Sequence, residues 1–321
     1  MFILKAKIQI ADFIFTSIND VEITKSVEEL VDTAVIKLPT KFKVKQNGEL
    51  KYTEEAIKPG DKVIITLGYE GKYEGVEFTG YVSKVSPKIP MEITCEDSMW
   101  LLKRKNINKA FGATSLKEIL REVVLGTEIK LSEKIPEMPI DKFIIKNASG
   151  AQVLQKLKED FSLSVYLDDE GKLYAGLEQL NNIGQTAIYD LNYNLVSNDL
   201  EFKNAEEKKL KIRYTYISPK NEKKQVEVGD EGGELRTFHT SVVSDENKLR
   251  EMATAELTRN KYDGFEGSVK SFLIPFATRG MTAKIIDKEH PNREGSYYIK
   301  KVVINYGLDG ARRTVTIGNK L

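Results

Sequence analysis

Apolar and polar residues alternate along the first hundred residues, which is the period of strands with one buried and one wet face. The alternation begins with Phe2, Leu4, Ala6, Ile8 and Ile10. It returns at 34–38, 63–69, 76–82 and 91–95, and turn-forming residues separate these runs. The segment 40–58 is polar and rich in Lys and Glu, so it predicts a long exposed loop. Short strands with turns between them predict a first β-barrel over 1–105.

The period changes in the middle of the chain. Ser115 and Glu118 have the spacing of a capping box, and apolar residues follow at helical spacing up to Gly126. Ser149 and Gln152 open a second segment of this kind. The run 168–171, Asp-Asp-Glu-Gly, predicts the turn of a hairpin. These elements predict a small α/β module over 106–186.

The last part of the chain returns to strand alternation. Residues 187–321 predict a second β-barrel that contains one helix, at about 244–262. The sequence leaves open whether part of 195–240 completes the first barrel instead. The predicted fold class is mainly β with an α+β insert: two tube-like antiparallel β-barrels plus a small α/β module.

Two stretches of the chain look like copies of one β-unit. Aligned without a gap, 60–85 and 280–305 place strand, loop and strand at the same positions. They share five identities: Gly60/Gly280, Ile65/Ile285, Glu74/Glu294, Gly75/Gly295 and Val82/Val302. The sequence therefore predicts an internal duplication, with one copy of the β-unit in each of the two barrels.

Charge and cysteine content exclude several classes of protein. Lys and Arg number 49 against 48 Asp and Glu, so no strong overall field attracts nucleic acid or an anionic membrane. The single Cys95 excludes an internal disulfide framework. Lys5 and Lys7 interrupt the apolar N-terminus, which predicts a strand and no signal peptide. No run approaches the roughly 18 apolar residues of a membrane span.

The two histidines are the first candidates for chemistry. His239 and His290 are distant in sequence, and a zinc site or a Ser-His-Asp triad needs more converging residues. Asp168, Asp169 and Glu170 have the residue types of glycosidase carboxylates, but we interpret them as a hairpin turn before Gly171, where Asp and Gly serve the backbone.

A second acidic pair, Glu96 and Asp97, lies near Trp100, the only tryptophan. These residues could form a sugar site, but we interpret them as a loop that caps a short helical turn at 98–102. The run 229–233, Gly-Asp-Glu-Gly-Gly, lacks the residues of a phosphate-binding loop. We therefore assign no catalytic, cofactor-binding or metal residue. A cell-wall polysaccharide hydrolase and a carbohydrate-binding β-protein remain as alternatives.

Three stretches, in this order, carry a resemblance to a known family. They are 60–105, which contains FTGYVSKV and ITCEDSMWLLK; the module segments 113–124 and 144–177; and the C-terminal 278–318. Together they resemble the baseplate hub proteins of contractile phage tails, which include the late-control-protein-D type and the N-terminal part of the type VI secretion spike protein.

The resemblance implies a structural role without enzymatic turnover or cofactors. It implies a homotrimer whose two barrels per chain form a pseudo-sixfold ring between a hexameric tail tube and a trimeric spike. The implied partners are the tube protein, the central spike protein and other baseplate proteins. DNA or effectors would pass through the channel without specific binding.

One departure from the family pattern concerns the C-terminus. The type VI spike protein continues into a β-helix needle, whereas this sequence ends at Leu321. The resemblance then implies a needle on a separate protein, in a phage, prophage or phage-like injection system. The implied location is the virion tail baseplate, after synthesis in the bacterial cytoplasm.

Overall fold

The computed structural model describes residues 2–39, 43–46, 49–140, 142–161, 163–176, 184–217, 223–240 and 245–321. Its largest feature is a sheet of 13 strands, to which both the N-terminal and the C-terminal parts of the chain contribute. The chain is mainly β with a small α/β insert, which confirms the predicted fold class.

The N-terminal part supplies seven strands of the main sheet and one outlying hairpin. Its elements are β1 (Leu4–Ile10), β2 (Phe13–Phe15), β3 (Asp20–Ser26), β4 (Thr33–Leu38), β5 (Lys43–Gln46), β6 (Glu49–Tyr52), α1 (Thr53–Ala56), β7 (Lys62–Tyr69), β8 (Tyr73–Ser86) and β9 (Met91–Glu96). The exposed loop predicted over 40–58 is wrong, because β5 and β6 pair with each other and α1 follows. This hairpin lies outside the main sheet, so it needs no apolar alternation.

The middle of the chain forms the insert. Its elements are α2 (Met99–Arg104), β10 (Asn106–Phe111), β11 (Thr114–Ser115), α3 (Leu116–Val124), β12 (Lys130–Leu131), β13 (Pro139–Ile140), β14 (Phe143–Ser149), α4 (Gly150–Phe161), β15 (Ser164–Leu167) and β16 (Lys172–Gly176). Both predicted capping boxes are present: Glu118 N–H donates to Ser115, and Gln152 N–H donates to Ser149. The insert has its own apolar core, which also takes in Val27 from the N-terminal part.

The C-terminal part completes the main sheet and adds a small side sheet. Its elements are β17 (Thr186–Asp190), β18 (Leu195–Asn198), β19 (Glu201–Lys203), β20 (Leu210–Ile217), β21 (Lys223–Gly229), β22 (Glu234–Thr240), α5 (Glu246–Asn260), β23 (Gly264–Glu266), β24 (Ser268–Ser271), β25 (Thr282–Ile286), β26 (Gly295–Gly307) and β27 (Gly310–Lys320). The helix predicted over 244–262 is confirmed as α5; residue 244 lies outside the described residues. Strands β20–β22 form the side sheet, and α5 covers it.

The main sheet contains the same six-stranded arrangement twice. One run is paired in the order β1-β7-β8-β9-β4-β3, and we call these strands the first copy. The other is paired in the order β17-β25-β26-β27-β24-β18, and we call these the second copy. In both copies the chain passes through these positions in the same order: the first, sixth, fifth, second, third and fourth. They differ in one pairing: β1 is antiparallel to β7, whereas β17 is parallel to β25.

The register corrects the gapless alignment of the repeat. Lys62 pairs with Tyr81 in the first copy, and Thr282 pairs with Tyr298 in the second. The structural counterpart of Val82 is therefore Ile299 and not Val302, because the second copy has three fewer residues between its paired strands. The first strands match as predicted, and Gly60 and Gly280 both open them with positive φ.

The two copies are joined through the second half of β26, the third strand of the second copy, and β3, the last strand of the first. Strand β26 of the second copy pairs antiparallel with β3 of the first, from Lys301 opposite Ser26 to Tyr306 opposite Val21. One continuous apolar core contains residues of both copies. The copies are therefore one packed body with a shared sheet.

Candidate functional site

The junction between the two copies holds a fully buried ion pair. Arg313 of β27 lies 2.7 Å from Glu77 of β8, and their side chains are 1% and 0% exposed. Tyr73 donates to the Glu77 carboxylate at 2.6 Å, and Arg313 also donates to the Ala277 carbonyl at 2.7 Å. These bonds compensate much of the cost of burying both charges, and they require both copies to be in place.

A tyrosine adds a second link across the junction. The Tyr69 hydroxyl donates to the Ala311 carbonyl at 2.7 Å and accepts from the Leu273 N–H at 3.2 Å. Burial raises the pKa of Tyr69, so the hydroxyl stays protonated and keeps both bonds. The link fixes the end of β7 against the second copy.

A second charged cluster joins both copies to the insert. Arg279 of the second copy lies 2.6 Å from Asp32 of the first copy and 3.0 Å from Asp169 of the insert. Lys25 contacts Asp169 at 2.9 Å, and Arg279 also donates to the Leu167 carbonyl. Burial raises the pKa of Asp169, but the charges of Lys25 and Arg279 outweigh it and lower the pKa overall.

Asp97 lies beside this cluster and carries a shifted pKa. One of its carboxylate oxygens accepts from the Asp32 N–H at 3.0 Å and the other from the Met99 N–H at 2.9 Å. Burial, followed by the charge of Asp32, raises the pKa of Asp97 to about 8. Through its two hydrogen bonds to backbone N–H groups, Asp97 fixes the turn that leads into α2.

The structure brings some of the predicted carboxylates together. Asp97 and 168–171 line one cleft of about 390 Å³. Asp168 accepts from the Glu170 and Lys172 N–H groups, as the turn interpretation predicts. Because Asp97 and Asp168 are bound to backbone and Asp169 is paired, these three side chains are explained by structure.

The remaining candidates lie apart from these roles. Glu96 forms a 2.6 Å ion pair with Lys103. Trp100 stacks on Tyr81 with centroids 5.2 Å apart, and the Arg104 guanidinium lies 3.5 Å from the Trp100 ring centroid. The only tryptophan is therefore engaged by two side chains of its own neighbourhood, Tyr81 and Arg104.

The histidines lie on different elements. His239 occupies β22, opposite Thr215, and the exposed His290 precedes a 3₁₀ helix over Pro291–Arg293. The run 229–233 is a turn whose Asp230 pairs with Lys261 at 2.6 Å. Among the described residues, no group of three or more His, Cys, Asp or Glu could hold a metal ion.

Sequence reasoning missed the three most buried charges, Glu77, Arg279 and Arg313. A signal existed for Arg313, because it occupies an inward position of β27 between Ala311 and Val315. No such signal exists for Glu77. A bulge in β8 opposite Ile65 and Thr66 turns Glu77 inward and leaves Val76 57% exposed.

Known proteins resemble this chain in structure and not in sequence. The sequence matches no protein-family model and no curated protein. No helix among the described residues is long and apolar enough to cross a membrane.

Solved structures do match over nearly the whole chain. A 43 kDa tail protein of prophage MuSo2 from Shewanella oneidensis has a TM-score of 0.66 at 16% identity, with 98% of each chain covered. A tail protein of Neisseria meningitidis also has a TM-score of 0.66, at 11% identity, with 99% of this chain and 96% of that one covered. A type VI secretion component of Escherichia coli has a TM-score of 0.59 at 10% identity, with 98% and 76% covered. The chain has the fold of these phage tail and type VI secretion proteins, in agreement with the resemblance found in its sequence.

Proposed function

We propose that the chain is a structural baseplate hub of a phage or phage-like contractile tail. The observation that carries this proposal is the repeated six-stranded copy within one sheet. A chain with two similar copies can satisfy two symmetries at once. Three such chains present six similar copies, which match a hexameric tail tube on one side and a trimeric spike on the other.

The proteins of similar structure support the same proposal. Two are tail proteins and one is a component of the type VI secretion system. We infer that this chain works with a tail tube protein, a central spike protein and other baseplate proteins, and that it resides in the virion tail baseplate. DNA or effectors would pass along the axis of the ring.

The charged clusters support a mechanical role over a catalytic one. Arg313 and Glu77 fix the angle between the copies, and Arg279 ties the insert to both of them. A ring that transmits force needs fixed internal angles, and buried ion pairs with several hydrogen bonds each supply them. We propose no enzymatic turnover.

We also propose a division of the chain that follows the sequence pattern. It consists of 1–105, 106–186 and 187–321. Strand β18 pairs with β24, and β19 pairs with β23. This pairing supports assigning residues 195–203 to the second part.

Electron microscopy of the purified chain tests the proposal. Class averages viewed down the particle axis should show a ring of six similar lobes around a hole, with three-fold symmetry at higher detail. Particles without an axial hole, or rings with an odd number of similar lobes, would contradict it. The matched control is the same grid after dilution, which separates assembled rings from single chains.

A further inference from the structure

The pairing that joins the two copies inside one chain indicates how two chains could pair with each other. Within the chain, β26 of the second copy pairs with β3 of the first. The strands that occupy the same two positions in the opposite copies are β8 and β18. If the copies repeat around a ring, β8 of one chain faces β18 of the next, and the same pairing recurs.

The register fixes which residues of β8 correspond to β26. Tyr81 and Tyr298 occupy the same position in the two hairpins. Just after this tyrosine, both strands have a register shift at the same place. It lies between Val82 and Lys84 in β8, and between Ile299 and Lys301 in β26. Val85 therefore corresponds to Val302. The match of both the hairpin and the irregularity makes this assignment independent of sequence identity.

The other side of the contact is assigned in the same way. Val21 of β3 pairs with Ile36, and Asn198 of β18 pairs with Val269, at corresponding positions of the next strand. Strand β19 follows β18 in the same direction. Their partners, β23 and β24, are consecutive as well and are separated only by Gly267. Phe202 then corresponds to Lys25.

Both edges lack a strand partner among the described residues. Beyond Val82, β8 pairs with β9 on one side only. The Lys300 carbonyl, which occupies the position of Ser83, accepts from the Val27 N–H on the β3 side, so the backbone groups of Ser83 and Val85 point to the open side. On the other edge, the Asp199 N–H donates inward to Ser268, so the backbone groups of Leu200 and Phe202 point outward.

Burial differs between the internal junction and these open edges. Val302 and Ile304 at the internal junction are fully buried. Val85, the counterpart of Val302, is only half-buried at the open end of β8. Open edges with exposed apolar residues are a liability for a single chain, and pairing removes it.

We propose that residues 84–86 of one chain, at the end of β8, pair antiparallel with residues 201–203 of a second copy of this chain, which form β19. The register places Val85 opposite Phe202. This inference rests on the proposed function, because it names the contact that would build the hub from its chains.

The side chains of the two segments are complementary in this register. On one face, Val85 meets Phe202, so an apolar residue contacts an apolar residue. Beyond Ser86 the chain turns back toward β9, where the Lys88 N–H donates to the Ser86 carbonyl at 2.8 Å, so the proposed pairing ends at Ser86.

Engineered cysteines test the register on the full-length chain. Lys84 and Lys203 face each other as a pair without hydrogen bonds, where side chains approach closely. The double variant K84C/K203C should form disulfide-linked oligomers under mild oxidation, seen on a non-reducing gel and lost on reduction. The control K88C/K203C is shifted by four residues. We expect about tenfold less product from it, because a disulfide needs Cβ atoms roughly 3.5–4.5 Å apart.

The native cysteine does not confuse this experiment, since Cys95 is fully buried. A sample with the mass of a trimer that fails to cross-link through 84 and 203 would overturn the edge pairing and leave the hub proposal standing. Equal cross-linking by the shifted pair would also overturn it. A chain that stays monomeric at every concentration, without cross-links, would contradict the hub and the pairing together.

Discussion

At the residue scale, Arg313 and Glu77 show how the chain holds two copies at one angle. Each carries a charge at a position without solvent, and each belongs to a different copy. Removing one partner of such a pair leaves an uncompensated buried charge. The pair therefore makes the relative position of the copies specific, whatever its net contribution to the free energy of unfolding.

The substitution Arg313→Met should lower the free energy of unfolding by about 3–5 kcal/mol, because Glu77 loses its buried partner. Chemical denaturation measures this. Replacing both residues, as R313M/E77L, should cost less than the sum of the single changes, because neither charge then remains.

The exposed pair Lys5–Glu74, 2.9 Å apart with side chains 54% and 46% exposed, provides the control. Lys5→Met should cost under about 1 kcal/mol. If Arg313→Met costs no more than Lys5→Met, the buried pair does not hold the junction.

Asp97 should make stability depend on pH. Its pKa is raised to about 8 in the folded chain, whereas an unfolded Asp titrates near 3.9. Between these values the folded state binds more protons than the unfolded state, so the free energy of unfolding falls as pH rises. The variant Asp97→Asn should show a smaller fall between pH 5 and 8.

Denaturation curves at a series of pH values measure both slopes. The variant should also be less stable overall, because an amide offers one acceptor oxygen where Asp97 receives two N–H groups. Asp169 does not interfere in this window, since its pKa is lowered, whereas burial also raises the pKa of Asp32, so Asp32 contributes a fall in the same direction that the variant retains. Parallel slopes for the two proteins would show that Asp97 is not the titrating group.

The sequence predicts residue environments only where alternation is regular. Ala311, Val315 and Ile317 are buried, as their spacing predicts. Glu77 and Val76 exchange their expected environments because of the bulge in β8, and a bulge leaves no mark on composition. Arg279 could not be foreseen, since its partners Asp32 and Asp169 come from distant parts of the chain.

At the element scale, local signals fix the helices of the insert. The Ser115 side chain accepts from the Glu118 N–H, and the Glu118 carboxylate accepts from the Ser115 N–H and from the Thr114 hydroxyl. This capping satisfies N–H groups that have no partner within α3. The prediction from sequence succeeded here because the whole motif lies within four residues.

Ser115→Ala should lower the free energy of unfolding by about 1 kcal/mol through loss of the cap. Ser98, which precedes α2, provides a matched control because its side chain makes no cap hydrogen bond. Ser98→Ala should change stability by less than about 0.5 kcal/mol. Equal effects of the two substitutions in chemical denaturation would argue against the capping account.

Strand pairing could be foreseen less well than helices. The strands themselves follow from alternation, but β22 pairs parallel with β20, and β17 pairs parallel with β25. Alternation does not distinguish parallel from antiparallel neighbours. The hairpin of β5 and β6 was missed for a related reason, because it packs outside the sheet that imposes the pattern.

At the scale of the whole molecule, the duplication is better supported by topology than by sequence. Five identities in a gapless alignment suggested it, yet Glu74 with Glu294 and Gly75 with Gly295 are not equivalent in the register. The repeated order of six strands, with the same irregularity in β8 and β26, carries the argument instead. Strand order persists where sequence identity does not.

The absolute mass of the purified chain tests the central claim most directly. Light scattering on a sizing column, across a concentration series, distinguishes one chain of 36.3 kDa from three, about 109 kDa. A trimer that persists on dilution is the predicted result. A monomer at every concentration, or a stable dimer, would contradict the account of a hub that converts three chains into six similar copies.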